Sequence, residues 1–233
     1  MPENEFGQPI GFPLPGWTKR PLPPKAAMQG RLCRLEPLDA ARHAAQLQEA
    51  FVDAPLASWT YLPDYMGPHR TIAAWQTWLE TAAASADPLW HAILDTRSGR
   101  AVGIAAYLRI DANSGSIEVG GLMYSPQLQR KPASTEAMYL MMRRAFDELG
   151  YRRYEWKCDS LNAPSRAAAL RLGFTYEGIF RQHMVYRGRS RDSAWFSILD
   201  TEWPRLRAMF EAWLSPDNFD AEGRQKAGLS SFR

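Results

Sequence analysis

Between Glu118 and Glu177 the periodicity of the chain changes repeatedly, and that order restricts the fold more than any other feature. An alternating strand gives way to a tight basic turn, Gln129-Arg130-Lys131-Pro132, and then to a helix. Met138, Met141, Met142, Ala145, Phe146 and Leu149 recur there at the three- and four-residue spacing of a one-sided helix. Tyr151 to Cys158 is aromatic-rich and strand-like, and a short helix and another strand follow. Gly150 ends the long helix, because glycine takes the left-handed conformation at low cost. Strands joined through helices build a sheet in the α/β manner.

The turn before the long helix has two readings. Unpaired N–H groups at a helix start and the positive end of the macrodipole suit a phosphate. Equally, Gln129 to Glu136 is a good helix start in its own right, with a proline whose fixed φ suits the first turn and hydroxyls that can cap.

Residues 1–29 carry seven prolines, Pro2, Pro9, Pro13, Pro15, Pro21, Pro23 and Pro24, a density that forbids a helix or a central strand. They are expected to form an extended arm. Phe6, Ile10, Phe12, Leu14 and Trp17 are too apolar for a purely solvated linker, so the arm either packs on this or a neighbouring subunit or is a disordered tail. Gly30 to Pro37 alternates as a strand, and Asp39 caps a helix over Ala40 to Phe51. Asp53 to Pro68 is a proline-broken loop rich in aromatics, and Thr71 to Ala84 is a helix with Ile72, Trp75, Trp78 and Leu79 on one face. Strands at Leu89–Leu94, Ala101–Ile110 and Ser116–Tyr124, separated by polar turns, read as an antiparallel meander. Gly178 to Arg187 and Asp192 to Leu199 form a hairpin around Gly188-Arg-Ser190, and Trp203 to Leu214 is a last helix with Pro204 in its first turn. Residues 215–233 turn polar and are expected to be loosely held, which leaves one domain over residues 30–214.

At 233 residues, 45% hydrophobic and 23% charged, the chain has the size and composition of an ordinary globular domain. No apolar run reaches the ~20 residues needed to span a bilayer, and the start lacks a signal-peptide pattern, so the expected location is cytoplasmic. Two cysteines, Cys33 and Cys158, cannot make a disulfide framework, and the four histidines lack metal-ligand spacing, so no metal is expected. A net charge of +3 is weak for a nucleic-acid binder and compatible with an anionic cofactor. A homodimer is the expectation from base rates.

The basic turn and helix start, followed by Asn162-Ala-Pro-Ser165 and Leu172-Gly173-Phe174, resembles the acetyl-CoA core of the GCN5-related N-acetyltransferase (GNAT) superfamily, most closely its RimJ/RimL-type branch. The likeness covers roughly Gly30 to Trp203. It implies a mixed, mostly antiparallel twisted sheet flanked by helices, and acetyl-CoA as the acetyl donor. The superfamily's pyrophosphate loop carries two small residues where this chain has Pro132 and Ser134, and proline removes one N–H donor. The resemblance implies that Gln129, Arg130, Lys131, Ala133, Ser134 and Thr135 hold the phosphates. It implies further that main-chain groups of Leu122, Met123 and Tyr124, freed where their strand leaves its neighbour, pair with the pantetheine amides and the thioester oxygen. Asn162 then meets the pantetheine arm, besides serving as an N-cap, and Ser165 approaches the sulfur.

Transfer to an amine requires a neutral nucleophile, and amines are ammonium ions near neutral pH. Glu118 stands where family members present a carboxylate or a backbone group to the acceptor; otherwise it is a solvent-facing strand residue. Trp59, Tyr61 and Tyr65 either line the acceptor side or pack their long loop onto the core. Cys158 reads as a small buried residue. The expected activity is acetyl-CoA-dependent N-acetylation of a primary amine, a protein N-terminus or a small molecule, by direct attack. The rivals are a catalytically silent module that binds CoA or another nucleotide on the same scaffold, and an RNA-binding protein.

Overall fold

A computed structural model describes all 233 residues. Eight strands form one sheet, in the order β1 (Met28–Gln29), β2 (Cys33–Pro37), β3 (Leu89–Asp95), β4 (Ala101–Asp111), β5 (Ser116–Tyr124), β6 (Arg153–Asp159), β8 (Arg189–Leu199) and β7 (Thr175–Tyr186). Every neighbouring pair is antiparallel except β5 and β6, whose connection runs through a helix. The helices are α1 (Ala40–Phe51), α2 (Ile72–Ala84), α3 (Pro132–Arg143), α4 (Ala163–Leu172) and α5 (Trp203–Leu214). None is long and apolar enough to cross a membrane. This is the mixed, mostly antiparallel architecture with flanking helices that the sequence implies.

The strands are buried on both faces over β2 to β4, and two cores result. On one face, Leu35, Ile93, Tyr107, Ile117, Val119, Tyr154, Trp156 and Phe196 pack against α3 and α5. On the other, Trp90, Ala92, Leu94, Ile104 and Ala106 pack against α1 and α2. That second cover stops at the middle of the sheet. From β5 outward, the same face carries Glu118, Glu155, Lys157 and Trp195, with no helix over it.

Four local readings need correction. Residues 30–32 are not strand, because Glu136 of α3 takes the N–H groups of Arg31, Leu32 and Cys33 at 3.0, 2.6 and 2.7 Å. The long helix is α-helical only to Arg143 and finishes as a π-helical turn over Arg144–Glu148, with Gly150 at φ +69° closing it. Residues 175–186 are one bulged strand rather than two. Within α2, Trp75 and Leu79 are buried as expected, but Ile72 sits exposed at the first turn.

Both terminal segments are better anchored than their composition suggests. Trp17 donates its indole N–H to the Asn113 carbonyl at 2.8 Å and lies where a side chain on Gly115 would stand, while Arg20 N–H reaches the Ala112 carbonyl. Arg144, itself buried, donates to the carbonyls of Ala26 and Ala27, and β1 adds Met28 to the core. Only residues 1–16 stand clear of the core, with Phe6 and Phe12 largely exposed. The C-terminal residues 215–233 are not loosely held. Asn218 is buried and bonds the Trp213 and Ala227 carbonyls, Leu229 enters the core, and Arg233 donates to Leu170 and Arg171 carbonyls at the end of α4.

Candidate active site

The site begins with two adjacent glycines. A bulge in β5 puts Gly120 and Gly121 on the same face, and Gly121 has φ +59°. A Cβ there would lie 2.4 Å from the Trp90 ring, so no larger residue fits without displacing it. The bulge bends β5 just where it stops pairing with β6. Residues 116–119 of β5 pair with 153–156 of β6, and beyond that the strands part. β5 runs on along β4, and β6 runs on along β8. The main-chain groups of residues 120–124 that face the gap have no strand partner. Leu122 and Tyr124 turn their side chains toward the α3 core, and Met123 toward the α1 and α2 core. The Tyr124 carbonyl accepts the Gln129 side-chain amide at 2.8 Å, while the Tyr124 hydroxyl is buried with no partner.

The gap opens beneath the start of α3. Arg130 takes a left-handed φ of +58°, and neither its N–H nor that of Ala133 meets an acceptor within the chain. Pro132 supplies none. Gln129, Arg130 and Lys131 are exposed, and the two cations have no carboxylate partner. The hydroxyls that follow are already engaged: Ser134 donates to the Lys131 carbonyl at 2.7 Å, and Thr135 accepts from Arg171 at 2.9 Å. Arg171 is a cation that the sequence reading missed. It lies on α4, 36 residues from Thr135, yet its guanidinium reaches the first turn of α3 and is not neutralised by any acid. Its position just before Leu172-Gly173-Phe174 was the one available signal.

α4 closes the other side. Asn162 caps it by accepting from Ser165 N–H at 3.1 Å, and the Ser165 hydroxyl accepts from the Trp156 indole at 3.0 Å. Ser165 also neighbours the Cys158 thiol, whose pKa burial raises and Ser165 opposes. Cys158 is buried, as expected.

Glu118 occupies the last turn of the pleat before the strands part. It is not solvent-facing: it is 3% exposed. Arg109 donates to its Oε1 at 2.8 Å, from a left-handed backbone position at a β4 bulge. The Lys157 ammonium stands 2.9 Å from Oε2, off the hydrogen-bonding direction, so that oxygen is ion-paired but not hydrogen-bonded. Burial pushes the Glu118 carboxyl above its ordinary range, against the pull of Lys157 and Arg109.

The loop expected to lie over the acceptor side forms two 3-10 turns, Leu56–Trp59 and Asp64–Met66. Its three aromatics separate. Trp59 is buried against Phe51 and Trp75 in the smaller core, and Gly67 passes over its ring. Tyr61 donates to the Leu161 carbonyl at 3.1 Å, tying the loop to the start of α4, and Tyr65 is exposed. Arg187, at the tip of the β7–β8 hairpin, bonds the Leu62 carbonyl at 2.8 Å and pairs with Asp64. Loop and hairpin thus wall the uncovered polar face, whose floor holds Glu118, Lys157 and Trp195. At its far corner Tyr186 donates to Asp159 at 2.8 Å, and burial, with that bond second, pushes the phenol up to about 12.

Residues 32–175 match the family model described as an acetyltransferase (GNAT) domain. A GCN5-related N-acetyltransferase from Brucella melitensis shares 49% identity and superposes with a TM-score of 0.91, over 94% of this chain and 99% of that one. A probable acetyltransferase of the GNAT family from Chromobacterium violaceum shares 42% identity, with a TM-score of 0.77 over 84% of this chain and 97% of that one. The microcin C7 self-immunity acetyltransferase, solved with acetyl-CoA and AMP, shares the fold at 20% identity and a TM-score of 0.65, over 76% of this chain and 98% of that one. Comparison with proteins of curated function gives no match.

Proposed function

This chain belongs to the GNAT acetyltransferases, and from that premise we propose that it moves the acetyl group of acetyl-CoA to a primary amine by direct attack, on the polar face between the loop and the hairpin. The observation that carries the reading is the parting of β5 from β6 beneath a helix start with unmet N–H groups. Phosphates suit that start, with Arg130 and Ala133 N–H as donors and Arg130, Lys131 and Arg171 as cations. The gap leads from there to Glu118, and its unpaired main-chain groups suit the amides of a pantetheine arm and the thioester oxygen. Asn162 and Ser165 border the same gap. Glu118 takes the ammonium proton, directly or through a water, and the thiolate leaves beside Ser165. The amine sits above Lys157 and Trp195, with Tyr61 and Tyr65 at the rim, while Trp59 supports the loop from below.

Two measurements test this. Acetyl-CoA at a hundredfold excess over its dissociation constant should stabilise the protein by about 2.7 kcal/mol, a rise in melting temperature of roughly 5 to 10 °C. No shift at millimolar acetyl-CoA overturns the assignment. Release of free CoA should then be followed with a short peptide bearing a free N-terminus, a polyamine and an aminoglycoside. Glu118→Gln should preserve acetyl-CoA affinity and lower kcat/KM by roughly 10² or more with whichever amine reacts. Binding without turnover on any amine would favour a silent CoA-binding module, the reading that Pro132 and the double pairing of Glu118 support.

A further inference from the structure

Lys157 lies on β6 one residue beyond the last pair that β6 makes with β5, on the floor of the uncovered face. Its side chain is 6% exposed, an unusual place for an ammonium. Three groups surround the nitrogen: Glu118 Oε2 at 2.9 Å, Glu155 Oε2 at 2.8 Å and the Trp195 ring, whose centroid is 3.5 Å away. The charges alternate across four strands. Arg109 of β4 meets Glu118 of β5, Lys157 joins Glu118 to Glu155, and Arg153 joins Glu155 to Glu177 of β7. Glu155 and Glu177 each have Arg153 close at hand, at 2.6 Å in both cases. Glu118 has only Arg109, half-exposed and therefore screened, besides Lys157. The buried cation is thus the one that matters most to Glu118.

We propose that Lys157 is a positioning residue for Glu118: its ammonium holds the buried side chain as the anion beside the point where the strands part. This rests on Glu118 acting as the base, but the two ideas fail separately. A carboxylate buried beside an apolar ring protonates when it loses its cation, and a protonated Glu118 accepts nothing from an ammonium substrate. When the captured proton neutralises Glu118, Lys157 keeps Glu155 as its partner at 2.8 Å, so no unpaired cation is left buried.

The first test needs no acceptor. Chemical unfolding of the full chain is measured from pH 5 to pH 8 for the native protein, Lys157→Met, Glu118→Gln and the double variant. Glu118, Glu155, Lys157, Arg109, Arg153, Arg191, Glu177 and His183 are the ionisable groups facing this floor, and the cycle isolates the first of them. Without Lys157 the folded-state carboxyl of Glu118 titrates higher, so stability present below the unfolded value near ~4.3 is lost as pH rises. Relative to the native protein, the unfolding constant of Lys157→Met should therefore grow at least tenfold between pH 5 and pH 8. That excess should vanish in the double variant. A pH-independent loss, or one that survives Glu118→Gln, overturns the proposal and leaves Lys157 as packing. Should Lys157→Met fail to fold, Lys157→Arg, which keeps the charge, is compared with Lys157→Gln, which removes it: the acid limb of kcat/KM for amine-dependent CoA release should stay in place in the first and move to higher pH in the second. An unmoved limb in the second also overturns it. If Glu118→Gln leaves kcat/KM at the native value while the stability cycle behaves as stated, Glu118 is no base, yet Lys157 still sets its charge.

Discussion

Replacing Glu136 by glutamine is the sharpest test of how α3 is locked to the sheet. Glu136 is 4% exposed, and its two oxygens take three main-chain N–H groups at 2.6 to 3.0 Å from a segment more than a hundred residues upstream. A glutamine keeps the shape but has one acceptor oxygen. If that oxygen serves Leu32 and Cys33, the new NH₂ faces the Arg31 N–H, and donor meets donor. Bonds to a charged group contribute about 1.5 to 3 kcal/mol each, and a buried donor left unmet costs about 1 to 3 kcal/mol. Losing the charge from two bonds and leaving the third unmet should therefore cost about 3 kcal/mol. For a chain of this size that lowers the melting temperature by roughly 6 to 12 °C. Urea unfolding followed by far-UV circular dichroism at neutral pH measures it, with Glu148→Gln as the control, since that carboxylate is half-exposed and pairs only within its own helix. Glu136→Ala should be worse than Glu136→Gln, because all three donors are orphaned. The glutamine variant should keep the thermal shift given by acetyl-CoA, because the side chain points away from the start of α3. A loss below 1 kcal/mol would refute the reasoning and mean that water or backbone relaxation serves these N–H groups.

Gly121→Ala places a methyl 2.4 Å from the Trp90 ring and forces a left-handed alanine, the latter alone costing about 1 to 2 kcal/mol; calorimetry should find acetyl-CoA affinity reduced at least tenfold. His91 is wholly buried against Tyr107 with neither ring nitrogen bonded, and burial lowers its pKa from 6.5 to about 4. Its contribution is complete above pH 6.5 and is lost as pH falls toward 4, about 3 kcal/mol in all, so His91→Leu should flatten the acid loss of stability seen in melts at pH 7.5 and pH 5. Deleting residues 1–16 should move the melting temperature by no more than about 2 °C, whereas deletion through Pro24 removes Trp17 and Arg20 and should lower it by roughly 4 to 8 °C.

Elements with local punctuation were legible. Ser116–Tyr124 and Trp203–Leu214 have the bounds read from the sequence, and Asp39 caps α1 by accepting from Arg42 N–H, because turn glycines, a proline at a helix start and a capping carboxylate act within a few residues. What lay hidden depends on partners distant in the chain. Residues 30–32 alternate like a strand but surrender their N–H groups to Glu136. The polar C-terminal segment looks solvated, yet Asn218 and Leu229 pin it. Glu118 looks like a base or a solvated residue, and its burial between Arg109 and Lys157 arises only when β4, β5 and β6 lie side by side. Arg171 escaped notice for the same reason: it precedes Leu172-Gly173-Phe174, but the side chain it meets, Thr135, lies 36 residues back in the chain.

The parting of β5 from β6 has a thermodynamic side. A sheet normally spends its main-chain polarity on itself, and every rung withheld leaves a donor or acceptor for water to satisfy. Here the withheld rungs sit at the centre of the molecule, between two cores that hold the strand ends in place whether or not anything lies between them. The protein forgoes stability that its own backbone could have supplied and keeps that binding capacity in reserve. An extended, amide-bearing molecule entering the gap completes the sheet as a strand would, and meets a frame whose ordering entropy was already lost when the chain folded.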